Sequence, residues 1–175
     1  KNVKKIVIGD AIGKDDIGIG AFCNSDIEEV DLSACDNLSL LYPYTFKSCL
    51  KLHTVTFPQD ESFEKLIQSV FCNCPLLTEI TLPNTLVSFE GDANGGDAKT
   101  FYNCGLIELI LPDSVISSGR YMVDSCPNLK KVVFSPFYKS VGSGGMDRII
   151  NCSALEEVVL PIFSYTVTKY SVTNG

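Results

Sequence analysis

Eight cysteines, one histidine and a short Asp/Asn/Gly-rich stretch are the residues of this 175-residue chain best suited to chemistry. Paired cysteines make disulfides, and Cys/His sets hold zinc. Neither pattern fits. Cys49, Cys74, Cys104, Cys126 and Cys152 recur in one register, and Ser25 fills that register earlier. Interchange with Ser points to a small buried side chain, because a free Cys packs as a small hydrophobe. Equivalents on stacked coils would lie roughly 5 Å apart. Parallel side-chain vectors suit a disulfide poorly, so a reduced ladder is expected. Cys23 and Cys72 share a second register, and Cys35 stands alone. Cys72-Asn73-Cys74 lacks the two-residue spacing of a zinc knuckle and no second pair follows, so packing is its expected role. His53, at a strand-edge position, supports no Ser-His-Asp arrangement and reads as solvated. Asp92-Ala93-Asn94-Gly95-Gly96-Asp97 has oxygen ligands for calcium without the EF-hand spacing and reads as a plain loop within 90–97. Asn37-Leu38-Ser39 and Asn151-Cys152-Ser153 fit the glycosylation pattern, the second inside a turn register. No cluster of titratable groups has a catalytic arrangement. The expectation is therefore a protein that is not an enzyme and holds no cofactor or metal.

The elements that position these residues are repeats. The stretch Asn73-Cys74-Pro75-Leu76-Leu77-Thr78-Glu79-Ile80-Thr81-Leu82-Pro83 is one instance of small polar, Cys, spacer, then Leu-x-x-Ile-x-Leu-Pro. Val3, Ile27, Leu52, Leu77, Leu106, Leu129 and Leu155 fill the Leu position, at steps of 24, 25, 25, 29, 23 and 26 residues. That period and core pattern mark a leucine-rich repeat solenoid. Residues two apart on a strand share a side. Pairs such as Val55/Phe57 and Ile80/Leu82 therefore point inward and the residue between them outward. Stacked strands build the core that no single repeat can close. Strands are expected near 5–8, 29–32, 54–57, 79–82, 108–111, 131–134 and 157–160, in one domain of about seven repeats over 1–175. The expected fold is a parallel β-sheet on one face with irregular or short helical returns on the other.

The return side has its own registers. Phe22, Phe46, Phe71 and Phe101, then Val123 and Ile149, stand three residues before the Ser/Cys register and predict a buried plug. Asn24, Ser48, Asn73, Asn103, Ser125 and Asn151 stand one residue before it. Asn and Ser bond turn backbone, and Asn tolerates left-handed geometry, so a polar ladder is expected there. Phe63, Leu66, Ile67 and Val70 have helical spacing, which predicts a short helix over 62–71. The fourth repeat carries its excess length in 90–97, which reads as a surface loop. Phe163, Tyr165 and Val167 alternate with polar residues and predict a final strand in a capping segment, 162–173.

A net charge of -7 argues against a nucleic-acid or anionic-membrane partner. No apolar run approaches the ~18 residues of a spanning helix. The chain opens directly into a repeat without an apolar targeting segment: either the protein is cytosolic, or a signal peptide and other parts have been removed, and the abrupt first repeat without a capping element favours the second.

Leu77-Thr78-Glu79-Ile80-Thr81-Leu82-Pro83, with Gly20-Ala21-Phe22 and Ser25 and with Phe46 and Cys49, resembles the BspA-like, or Treponema-pallidum-type, leucine-rich repeats. The resemblance covers nearly the whole chain. Its middle element is degraded in Leu86-Val87-Ser88-Phe89 and Val115-Ile116-Ser117-Ser118. The resemblance implies a secreted or cell-surface protein that adheres to another protein or a surface glycan, and it carries no catalytic residues.

The candidate binding surface is the outward side of the sheet: Thr56, Glu79, Thr81, Glu108, Ile110, Val133 and Val159. Ile110, Val133 and Val159 would form an exposed apolar stripe, and such a stripe with a polar rim marks an interaction site or reflects β-propensity alone. Lys4-Lys5 against Glu28-Glu29, and Lys130-Lys131 against Glu156-Glu157, would pair across strands for roughly 0.2–1 kcal/mol each. Two other readings stand beside adhesion: a spacer domain of a larger surface protein, and an intracellular scaffold.

Overall fold

A strand with a single inward side chain buries nothing by itself, so each repeat depends on the coil above and the coil below. The structure, a computed structural model, describes residues 3–9, 17–58, 62–91, 96–139, 149–161 and, by backbone, 172–173. Every strand pairing in it is parallel, and three ladders run along the stack.

The ladder at the Leu motif contains β1 (Lys5–Val7), β2 (Glu29–Asp31) and β4 (Thr54–Thr56). Further on it contains β8 (Glu108–Ile110), β11 (Lys131–Val133) and β13 (Glu157–Val159). The second ladder joins β3 (Leu40–Leu41), β5 (Lys65–Leu66), β6 (Ser88–Phe89) and β9 (Ser117–Ser118). The third joins β7 (Phe101–Tyr102), β10 (Val123–Asp124), β12 (Ile149–Ile150) and β14 (Val172–Thr173). The core lies between them. Val30, Leu52, Leu77, Leu109, Leu129 and Val132 are buried from the Leu ladder, and Leu41, Leu66 and Phe89 from the second.

Two sequence expectations are corrected. Residues 62–71 form no helix, and no helix occurs among the described residues. The amide donors of this stretch go to neighbouring coils: Glu64 N–H to Ser39 O at 2.8 Å, Ile67 to Leu41 at 3.1 Å and Ser69 to Ala98 at 2.7 Å. Ser69 is also left-handed at φ 58, which a helix interior does not admit. Phe63, Leu66 and Val70 are buried because the return bends around the core. The second correction is the strand expected near 79–82. Residues 79–82 pair with neither neighbouring coil, and the Leu-motif sheet is split into β1-β2-β4 and β8-β11-β13.

The return registers are sharper than their sequence suggests. Phe22, Phe46, Phe71 and Phe101 stack nearly parallel, with successive ring centroids 5.4, 5.7 and 5.9 Å apart. Asn24, Ser48, Asn73, Asn103, Ser125 and Asn151 are all left-handed. Their side chains bond from coil to coil: Asn73 Nδ2 donates to Ser48 Oγ at 3.2 Å and Asn103 Nδ2 to Asn73 Oδ1 at 2.7 Å. Four residues earlier a second left-handed register contains Gly20, Tyr44, Ser69, Lys99 and Tyr121.

None of the eight cysteines is in a disulfide. The buried ones do more than pack. Cys49, Cys74, Cys104 and Cys126 each donate Sγ–H to the carbonyl of the Phe one coil back (Phe22, Phe46, Phe71 and Phe101), at 3.1, 3.2, 3.0 and 3.0 Å. Burial pushes the Cys49 and Cys74 thiols above their ordinary value. Cys126 is raised first by its hydrogen bond with Cys104, and Cys152 by its bond with Cys126, with burial adding to both.

Gly91 and Gly96, on either side of residues 92–95, lie against each other. A Cβ on Gly91 would lie 2.0 Å from the Gly96 carbonyl oxygen, so only glycine allows that approach. The β6–β9 pairing precedes it, and a parallel bridge between Asp97 and Arg120 follows it. Residues 92–95, where the calcium reading falls, and 162–171, which hold Phe163, Tyr165, Val167 and most of the expected cap, lie outside the described residues.

Candidate binding surface on the interrupted sheet

Strand alternation sets the outward residues. Val7, Ile110 and Val159 are exposed, Val133 is half-buried, and Thr56, Glu79, Thr81 and Glu108 are exposed. Ile110, Val133 and Val159 are direct partners across β8, β11 and β13. They form a continuous apolar stripe on neighbouring strands. Beside it Lys131 Nζ lies 3.2 Å from Glu157 and 3.9 Å from Glu108. At the other sheet Lys4–Glu28 and Lys5–Glu29 close at 2.9 and 3.1 Å. Lys130 and Glu156 meet through backbone, Glu156 N–H donating to Lys130 O at 2.9 Å, and form no ion pair among the described residues. These exposed pairs contribute at most about 1 kcal/mol each. Hydrogen bonds from Ser33, with a smaller contribution from Lys5, hold the Asp31 carboxyl below its ordinary value.

The seven candidate residues do not form one patch. Glu79, Thr81, Glu108 and Ile110 meet across the break, and Val133 and Val159 extend the surface from Ile110. Thr56 sits apart on β4, opposite Asp31. The break is a groove of about 530 Å3 whose floor and walls include Ile80, Leu82 and Pro112. In the paired coils a backbone bond recurs at one register: Ile8 N–H to Asp31 O, Leu32 to Thr56, Leu111 to Val133 and Phe134 to Val159, all at 2.8–2.9 Å. Leu82 occupies that register in the fourth repeat and makes no such bond.

The two coils are hydrogen-bonded to each other on either side of the groove. Ile107 N–H donates to Thr78 O at 3.0 Å, and Ser114 Oγ to Leu86 O at 2.7 Å. Near the first of these bonds Gly105 presses against the preceding coil, where a Cβ would stand 2.2 Å from the Pro75 carbonyl oxygen. Gly105→Ala is expected to cost about 1–3 kcal/mol, as overpacking does. Urea unfolding would check this, and an unchanged midpoint would show that the coils separate freely at that point.

Sequence reasoning missed the groove and its lining by Thr78, Ile80, Leu82, Asn84, Ile107 and Pro112. Two signals coincide with it: the 29-residue step from Leu77 to Leu106, and Gly105 directly before the Leu motif. His53 is exposed; among the described residues its ring contacts the adjacent Thr54, with Nδ1 and Oγ1 2.9 Å apart. Among the described residues no group of three or more His, Cys, Asp or Glu side chains could hold a metal ion. No helix there is long and apolar enough to cross a membrane.

Comparison with known proteins places this architecture. The chain matches the BspA type leucine rich repeat region, in six copies, over residues 1–95 and 97–174. A leucine-rich repeat protein from Bacteroides ovatus superposes with a TM-score of 0.72 at 22% identity, covering 90% of this chain and 40% of that one. The T. pallidum leucine rich repeat protein superposes at 0.64 and 20% identity, covering 91% of this chain and 64% of that one. The chain thus spans less than two thirds of either solved chain's length. No curated protein matches it significantly. The stacked Leu motif, the Phe and Cys registers and the match along nearly the whole length agree: the chain belongs to the BspA-type leucine-rich repeat family.

Proposed function

We propose that this chain is a non-enzymatic binding module, secreted or held at a cell surface, that engages another protein through the outward side of its Leu-motif sheet. The observation that carries this reading is the alignment of Ile110, Val133 and Val159 on adjacent strands, exposed or half-exposed and beside the Lys131 ion pairs. An apolar stripe with a charged rim loses little on desolvation and gains area on contact, as interface cores do. The family supports the reading, since leucine-rich repeats serve widely as protein-binding surfaces.

Replacing Ile110 and Val133 together with Asp is expected to weaken capture of an extracellular partner at least tenfold. The melting temperature should change by only a few degrees, since both side chains face outward. Undiminished capture by the double variant would remove this face from consideration. Protease treatment of intact producing cells tests location separately. Loss of the domain without lysis supports surface display, and full protection with digestion after lysis contradicts it.

A further inference from the structure

A sheet interrupted in its interior leaves two strand edges facing each other. Residues 79–82 form one lip and β8 the other. Residues 79–82 engage no backbone partner among the described residues, and β8 pairs with β11 alone. Unpaired strand edges are templates for a further strand. The groove between them is of ligand-site size, and the bonds from Ile107 and Ser114 hold the two coils together on either side of it. Its floor is apolar, with Ile80 and Leu82, and two carboxylates, Glu79 and Glu108, stand at its rim.

We propose that this groove binds an extended peptide segment of a partner protein, with alternating apolar and basic side chains, added as a strand between residues 79–82 and β8. The proposal rests on the sheet-face reading and narrows it to one site and one partner chemistry. Main-chain hydrogen bonds to the free groups of 79–82 provide affinity. Strand alternation turns every second peptide side chain toward Ile80 and Leu82 and the others toward Glu79 and Glu108. The acidic rim and the net charge of -7 select basic over acidic segments.

The test uses a capped hexapeptide of alternating lysine and valine, titrated into the chain by isothermal calorimetry. Binding is expected. It should weaken at least tenfold when alternate peptide amides are N-methylated, at least tenfold with Glu79→Gln plus Glu108→Gln, and be lost for a glutamate/valine peptide. The lysine/valine peptide failing to bind, or binding equally well when N-methylated, overturns strand addition. If that happens while Ile110→Asp with Val133→Asp still abolishes capture of the partner, the sheet-face reading stands and only this narrower inference falls.

Discussion

Phe71→Ala is expected to lower unfolding free energy by about 3–5 kcal/mol, the usual cost of truncating a buried aromatic. Phe71 is fully buried and stacks on Phe46 at 5.7 Å and Phe101 at 5.9 Å, with the Phe57 ring edge-on at 6.3 Å. Its carbonyl also accepts the Cys104 thiol. Removing the ring therefore opens a cavity shared by three coils. In a solenoid stability is close to a sum of nearest-neighbour interfaces, so a residue in two interfaces counts twice. Phe22→Ala, at the half-buried end of the same stack, should cost clearly less. Urea unfolding of both variants checks this. Equal losses would show that the stack is not the cooperative unit.

The second large effect is alkaline unfolding. Cys49, Cys74, Cys126 and Cys152 hold their protons more tightly than the ordinary thiol value of 9.0. The cause for Cys49 and Cys74 is burial, and for Cys126 and Cys152 it is the thiol-to-thiol hydrogen bond and then burial. The folded chain stays protonated where the unfolded chain has ionised. The stabilisation is complete below the unfolded thiol value and is lost as pH rises above it toward the folded values. Each thiol contributes a slope of about 1.4 kcal/mol per pH unit in that window. Several together outweigh an ordinary domain's stability of about 5–15 kcal/mol within a few pH units. Cys74→Ser with Cys126→Ser keeps hydroxyl donors to the Phe46 and Phe101 carbonyls while removing two ionisable groups. That variant should lose stability less steeply above pH 9 by about 2.8 kcal/mol per unit. An unchanged slope would mean that the thiols ionise alike in both states.

The inward positions were legible because they depend on local alternation alone. Val30, Leu109 and Val132 are buried where period two puts them. The Phe register was legible because a large apolar residue recurring once per coil has only the core to enter. The helix expected over 62–71 failed because Phe63, Leu66 and Val70 satisfy helical spacing and a bent return equally well. The left-handed Ser69 that separates the two leaves no mark in residue type. Tyr44, Lys99 and Tyr121 adopt the same conformation, and of that register only Gly20 signals it.

The break in the sheet was hidden for a different reason. Leu77-x-x-Ile80-x-Leu82-Pro83 is among the best matches to the motif, yet it is the segment that stays unpaired. The motif encodes which side chains face inward. Pairing depends on how the next coil arrives, and that coil arrives after a 29-residue step and a close Gly105 contact. The cysteine register is legible by size, whereas its donation to the Phe carbonyls depends on how successive coils stack, which residue type does not encode.

Amide hydrogen exchange of the free chain tests the interrupted sheet most directly. Leu32, Leu111 and Phe134 donate to the next coil at 2.8–2.9 Å, and Leu82 in the same register donates to nothing among the described residues. Slow exchange at the first three and exchange at least about a hundredfold faster across residues 80–82 is the predicted result. Protection at Leu82 equal to that at Leu111 would mean a continuous sheet, and would contradict the groove and everything placed in it.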